Sequence, residues 1–196
     1  MKSPVSFAVE GPTDDAIVRR LAEHVGVEVH IVLPPSGKQA ALGRLKGLNH
    51  AARGQRWYVL VDLDQDAPCP GEFVRRHLPH PAPLMRFRLA VPSIEAWLLA
   101  DRAGFARFLG VPLAKMPLLP ETLPDAKQTI VELARHSSRR EVRDGIPPRS
   151  GSGKKTGALY SSKLIEFGLQ HWDIESSRSI SKSLDRAALR LAELKS

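Results

Sequence analysis

Four short apolar runs, each followed by an amphipathic stretch, constrain the fold of this chain more than any other feature. The runs cover residues 5–10, 28–33, 57–62 and 85–91, and they are rich in Val, Ile, Leu and Phe, the third unbroken by a polar residue until Asp62. Short apolar runs that alternate with amphipathic stretches belong to βαβ units and a parallel sheet. The intervening helices are expected from Thr13 to Val25 with Ile17, Val18 and Leu21 inward, from Ser36 with Ala41, Leu45 and Leu48 inward, from Pro70 to Leu78, and from Ser93 with Trp97 and Leu98 inward. Thr13, Ser36 and Ser93 are the expected caps and Pro70 an expected first-turn residue.

Strand signals stop after Asp101, and prolines at 112, 117, 120 and 124 cut the chain into short segments. Helices are expected again at about 125–136, 158–170 and 176–194, with a loop of Gly, Pro, Ser and Lys at 145–157. A chain of 196 residues with 42% hydrophobic residues can bury one sizeable core. The expected organisation is an α/β core over 1–104 and a helical, basic part over 105–196 packed on it as one structural unit.

Carboxylates mark the ends of three of the four strands. Glu10 closes the first, followed by Gly11 and by Asp14 and Asp15 in the next helix; Asp62 and Asp64 close the third; Ser93 and Glu95 follow the fourth. A carboxylate at the end of an apolar strand costs several kcal/mol to bury unless it is paired or bound to metal, which singles out Glu10. Asp62 and Asp64 sit at i and i+2 and share a face in extended chain. Asp14, Asp15 and Glu95 also suit the first turn of a helix, where acids complement the dipole. If the three strands are neighbours, five carboxylates meet at one crevice beyond the strand ends. Oxygen ligands without His or Cys select Mg²⁺ or Mn²⁺, and five suffice for two ions. A lysine to neutralise phosphate charge would complete such a site, and Lys127, Lys154, Lys155 and Lys163 are the candidates.

The formal charge of +8 favours a polyanionic partner. Between residues 135 and 155 lie Arg135, Arg139, Arg140, Arg143, Arg149, Lys154 and Lys155 against only Glu141 and Asp144, which marks this segment as the expected nucleic-acid contact. The single cysteine, Cys69, excludes an internal disulfide and a cysteine zinc cluster and suits a reducing cytoplasm. Met1, Lys2, Ser3 and Pro4 lead into the first strand without the apolar core of an export leader, and no apolar run reaches membrane-spanning length.

Other motifs carry less. Gly151 to Thr156 looks like a phosphate loop, but Pro148 stands where its first glycine belongs and Lys155 where Ser or Thr must follow the lysine. His77, His80 and Cys69 lack partners for metal or nucleophilic chemistry. Trp97, Phe105, Phe108, Phe167 and Trp172 fall at helical positions and read as core.

The order strand-Glu10-Gly11-x-Thr13-Asp14, strand-Asp62-x-Asp64, strand-Ser93-x-Glu95-Ala96-Trp97 resembles the Toprim fold, and within it the nuclease part of the OLD family. The resemblance covers residues 5 to about 100. It implies a Rossmann-like sheet and a two-metal site in which Glu10 and Asp14 form the first acidic pair, Asp62 and Asp64 the second, and Ser93 and Glu95 the third motif. It also implies a downstream lysine, best matched by Lys155 and next by Lys127. Two features depart from the family: no ATPase domain precedes this segment, so a separate ATPase partner is implied, and Asp14 stands where the family carries a longer Glu. The implied activity is Mg²⁺- or Mn²⁺-dependent hydrolysis of phosphodiesters, of DNA ahead of RNA. A non-catalytic nucleic-acid- or partner-binding module and a metal-dependent phosphotransferase or phosphohydrolase acting on nucleotides are the alternatives.

Overall fold

A computed structural model describes residues 4–195. Met1, Lys2, Ser3 and Ser196 lie outside it, and with them most of the N-terminal segment considered as a leader. The α/β half runs β1 (Val5–Ala8), α1 (Pro12–Val25), β2 (Val29–Val32), α2 (Lys38–Ala51), β3 (Arg56–Asp62), α3 (Pro70–His77) and β4 (Met85–Ala90). The helical part continues as α4 (Ile94–Ala100), α5 (Arg102–Leu109), α6 (Ala126–Arg135), α7 (Arg140–Gly145), α8 (Tyr160–Gln170), α9 (Ile174–Ile180) and α10 (Lys182–Ala192), with single 3-10 turns at Leu113–Lys115, Pro120–Thr122 and Glu193–Lys195.

All strand pairs are parallel, in the order β2-β1-β3-β4. The strand alternation explains why the runs read as continuously apolar. Tyr58 and Leu60 of β3 join Phe7, Ile17 and Leu21 on one face, while Trp57, Val59 and Val61 join Leu45, Phe73 and Phe87 on the other. Helix α1 therefore covers one face and α2 and α3 the other, as crossovers of one hand require when the second connection runs opposite to the first. That reversal puts a topological switch point between β1 and β3, where helices diverge and a crevice opens at the carboxyl ends of the strands. The sequence expectation that the first, third and fourth strands are neighbours holds.

The C-terminal helices complete the first face. Tyr58 hydroxyl donates to the Ala187 carbonyl of α10, Gly168 of α8 lies against Ile17 of α1, and Phe105, Ile130, Leu164 and Leu184 share one core with Phe7 and Val5. The five aromatic residues read as core are buried, each at 7% exposure or less. Among the described residues no helix is long and apolar enough to cross a membrane.

Several boundaries differ from expectation. Gly11 takes the cap position of α1, with Pro12 in the first turn, so Thr13 is already helical. Helix α2 starts at Lys38 behind Gly37, two residues beyond Ser36; the φ of +83° at Gly37 is open to glycine at no steric cost. The helix expected over 176–194 is two helices. Ser181 breaks it, because its hydroxyl caps α10 by accepting from Leu184 N and bonds to Glu121 across the fold.

Candidate active site

Each strand of a parallel sheet delivers the residues just beyond its last rung to the same edge, so the crevice gathers the segments that leave β1, β2, β3 and β4. Glu10 leaves β1 and accepts a hydrogen bond from the Asp62 backbone N–H at 2.7 Å, which ties the ends of β1 and β3 together across the switch point. Asp62 in turn accepts from Ile94 N at 2.9 Å, tying β3 to the first turn of α4. Asp14 is buried in the first turn of α1, and its Oδ1 has no partner. Gly11 leaves room beside it, since a Cβ there would stand 3.0 Å from Asp14 Oδ2.

Glu95 is held from two sides. Ser93, at the cap position of α4, does not cap; its hydroxyl donates to Glu95 Oε2 at 2.7 Å, while Tyr160 of α8 donates to Oε1 at 3.1 Å. Lys127 of α6 stands 3.8 Å from the same Oε1. Asp64, by contrast, turns outward. It adopts φ +51°, in the left-handed region that Asp and Asn tolerate better than most side chains, and its carboxylate meets Lys38 Nζ at 2.8 Å. Asp66 binds the same ammonium at 2.6 Å.

The electrostatics arise from this crowding. Burial, then Glu10 and Glu95, push the Asp14 carboxyl up to about 7. Burial, then Asp14, Glu95, Glu10 and Asp64, push Asp62 well above the usual carboxylate range. Glu10 is also raised by burial, against the Asp62 N–H and Lys38, which favour its charged form. Burial and the Glu95 carboxylate push the Tyr160 phenol up, so it remains a donor. Acids that repel one another in this way are stabilised by further positive charge, of the kind a cation supplies.

Two clefts meet at Asp62 and Glu95. One, of about 380 Å³, is lined by Asp62, Asp64, Asp66, Ser93, Glu95, Lys127 and Lys155; the other, of about 320 Å³, by Glu10, Gly11, Asp14, Asp62, Glu95, Lys127 and Tyr160. The basic loop reaches the crevice because its base is clamped: Gly157 N donates to Ile146 O at 2.8 Å and Leu159 N to Gly145 O at 3.0 Å. Gly157 allows that approach, as a Cβ would run into the carbonyls of Gly145 and Pro147.

All six candidate metal-site residues thus border the crevice, and Lys155 and Lys127 line it with them. The other basic candidates do not. Arg140 and Arg143 reach Asp144 at 3.3 and 3.8 Å, Arg139 packs near Gly110, Arg149 and Lys154 are exposed, and Lys163 is taken by Glu141 and Glu166, both at 2.9 Å. Two residues of the site escaped the sequence reading. Lys38 carried a signal, since it lies beyond β2 and so falls at the same sheet edge. Tyr160 carried none, being placed by the packing of α8 against α1.

The donor set is hard oxygen with no His or Cys, which suits Mg²⁺ or Mn²⁺, and the unpartnered Asp14 Oδ1 is a buried acceptor that an ion satisfies. Among the described residues, however, no three His, Cys, Asp or Glu side chains are set to close on one ion. The expectation of five convergent acids needs that correction, and its reason is local: Glu10, Asp62, Asp64 and Glu95 each commit an oxygen to an internal donor.

Comparison with protein-family models, with curated proteins and with solved structures returns no match.

Proposed function

We propose that the chain is a divalent-metal-dependent nuclease of Toprim type, similar to the nuclease part of the OLD family, that hydrolyses phosphodiester bonds of DNA, with RNA as the second substrate class. The observation that carries this reading is the meeting of five carboxylates and two lysines at one switch-point crevice. Glu10, Asp14, Asp62, Asp64 and Glu95 are the residues that would hold Mg²⁺ or Mn²⁺. Such ions, once bound, would supply neutralising charge and Lewis-acid activation of an attacking water.

The chain's own residues do the rest. Lys155 and Lys127 present ammonium groups from opposite segments to the non-bridging phosphate oxygens, where negative charge builds up during attack. Ser93 and Tyr160 keep Glu95 in one orientation. Replacing Lys155 by Ala is expected to lower kcat about 100-fold with little change in KM, because its charge matters most in the transition state. An unchanged kcat would remove Lys155 from the chemistry and leave Lys127 in that role.

The internal bonding of the acids favours one second reading, a non-catalytic nucleic-acid-binding module in which Lys38 serves as fixed counter-ion to Asp64 and Asp66. It predicts binding that is independent of metal and leaves the substrate intact.

A further inference from the structure

A second polar cavity, of about 270 Å³, lies away from the carboxylates between β4, α3 and α10, lined by Arg88, Arg186, Ser183, Gly71, Pro70, Val74 and Leu89. Its chemistry is one-sided. No acid lines it, and neither Arg88 nor Arg186 makes a hydrogen bond or ion pair among the described residues; Arg88 Nε is buried without an acceptor. Ser183, 8% exposed, accepts from Trp97 Nε1 at 2.7 Å and from Val91 N at 3.3 Å, so its own hydroxyl proton is left to donate. Burial works against the charged form of Arg88, the Tyr58 phenol favours it, and Arg190 and Arg186 add like-charge repulsion that Glu193 opposes. Two guanidinium groups and a hydroxyl proton facing a cavity without an acid suit an anion, and Arg88 Nε stays buried and unsatisfied until an acceptor fills the space.

We infer that this cavity is a phosphate-binding subsite, formed by Arg88, Arg186 and Ser183, for a backbone phosphate of the nucleic acid whose scissile bond lies at the carboxylate crevice. The identity of the polymer rests on the nuclease reading; the anion site rests on its own residues. The cavity and the crevice follow one another along the chain: β4 carries Arg88, ends at Ala90 and leads through Val91 to Pro92, which lines the crevice. On this proposal a strand longer than a dinucleotide engages both sites.

The test is binding of a fluorescein-labelled twelve-nucleotide single strand to the full chain in chelator, as a function of salt, for wild type, Arg186→Gln and Arg88→Gln/Arg186→Gln. Arg186 is exposed, so its single variant folds irrespective of the fate of the double one. The expected result is about a tenfold weaker Kd for the double variant and a shallower slope of log Kd against log salt, by about 0.7 for each arginine removed. Dinucleotide binding should not change. Unaltered affinity and slope in both variants would overturn the subsite, as would a wild type that binds no strand. Inorganic phosphate provides the other arm: an arginine-dependent rise in Tm with phosphate, without any effect on strand binding, would assign the cavity to a free phosphate and overturn the backbone role. Failure of the nuclease reading looks different, since it leaves arginine-dependent strand binding in place without cleavage when Mn²⁺ is added.

Discussion

Asp62→Asn is expected to lower kcat for phosphodiester cleavage by about 10³-fold without lowering Tm. Asn keeps an oxygen where Asp62 Oδ1 accepts from Ile94 N, so the tie between β3 and α4 survives the change. What disappears is the charge at the centre of the acid cluster, the residue that feels Asp14, Glu95, Glu10 and Asp64 together. Loss of a ligand that helps neutralise phosphate costs several kcal/mol of transition-state stabilisation, and about 4 kcal/mol corresponds to about 10³ in rate. Removing a buried charge from a repelling cluster also relieves the folded state, so Tm should hold or rise. Cleavage kinetics and thermal unfolding on one preparation check both halves. A variant that cleaves at the wild-type rate would remove Asp62 from the site, and one that loses both rate and Tm would mark it as structural.

The second large effect is on stability against pH. Asp14 has its carboxyl raised from 3.8 to about 7 in the fold, chiefly by burial and then by Glu10 and Glu95. A carboxyl raised on folding contributes stability that is fully present below its unfolded pKa and is lost as pH climbs through the folded one. The wild type should therefore weaken between about pH 4 and pH 7. Asp14→Asn removes that loss, so its advantage over wild type should grow between pH 5 and pH 8 by about 2 kcal/mol, or roughly 4–8 °C in Tm for a chain of this size. Mn²⁺ should raise the Tm of the wild type at pH 8 and raise that of Asp14→Asn much less. An advantage of equal size at both pH values would show that Asp14 carries no such strain.

Much of the sheet was legible because its two central strands, β1 and β3, are buried on both faces. Runs such as residues 57–62 then have only one physical explanation, and the carboxylates that end them fall at one edge by the geometry of parallel strands. That reasoning placed Glu10, Asp62 and Glu95 together from the sequence. It could not say how they are bonded. Glu10 reaches a backbone N–H of another strand, Glu95 is gripped by Tyr160 from a helix 65 residues away, and Lys38 draws Asp64 outward. Such partners depend on packing between distant segments, which periodicity does not encode. Helix caps failed for a local reason: at Gly11 and Gly37 the chain needs close approach or a left-handed turn, and this overrode the preference for Thr13 and Ser36. The basic segment read as one nucleic-acid face divides in the same way. The clamp at Gly157 directs Lys155 to the crevice, whereas Arg140 and Arg143 pair with Asp144 on α7.

The most direct test of the central claim is incubation of the purified wild-type chain with plasmid, single-stranded DNA and RNA, in Mn²⁺ and in chelator, with products resolved on a gel. The expected result is cleavage of DNA in Mn²⁺ that chelator abolishes. Intact substrates in Mn²⁺ with the protein folded and bound to them, or cleavage undiminished by chelator, would contradict a metal-dependent nuclease at this crevice.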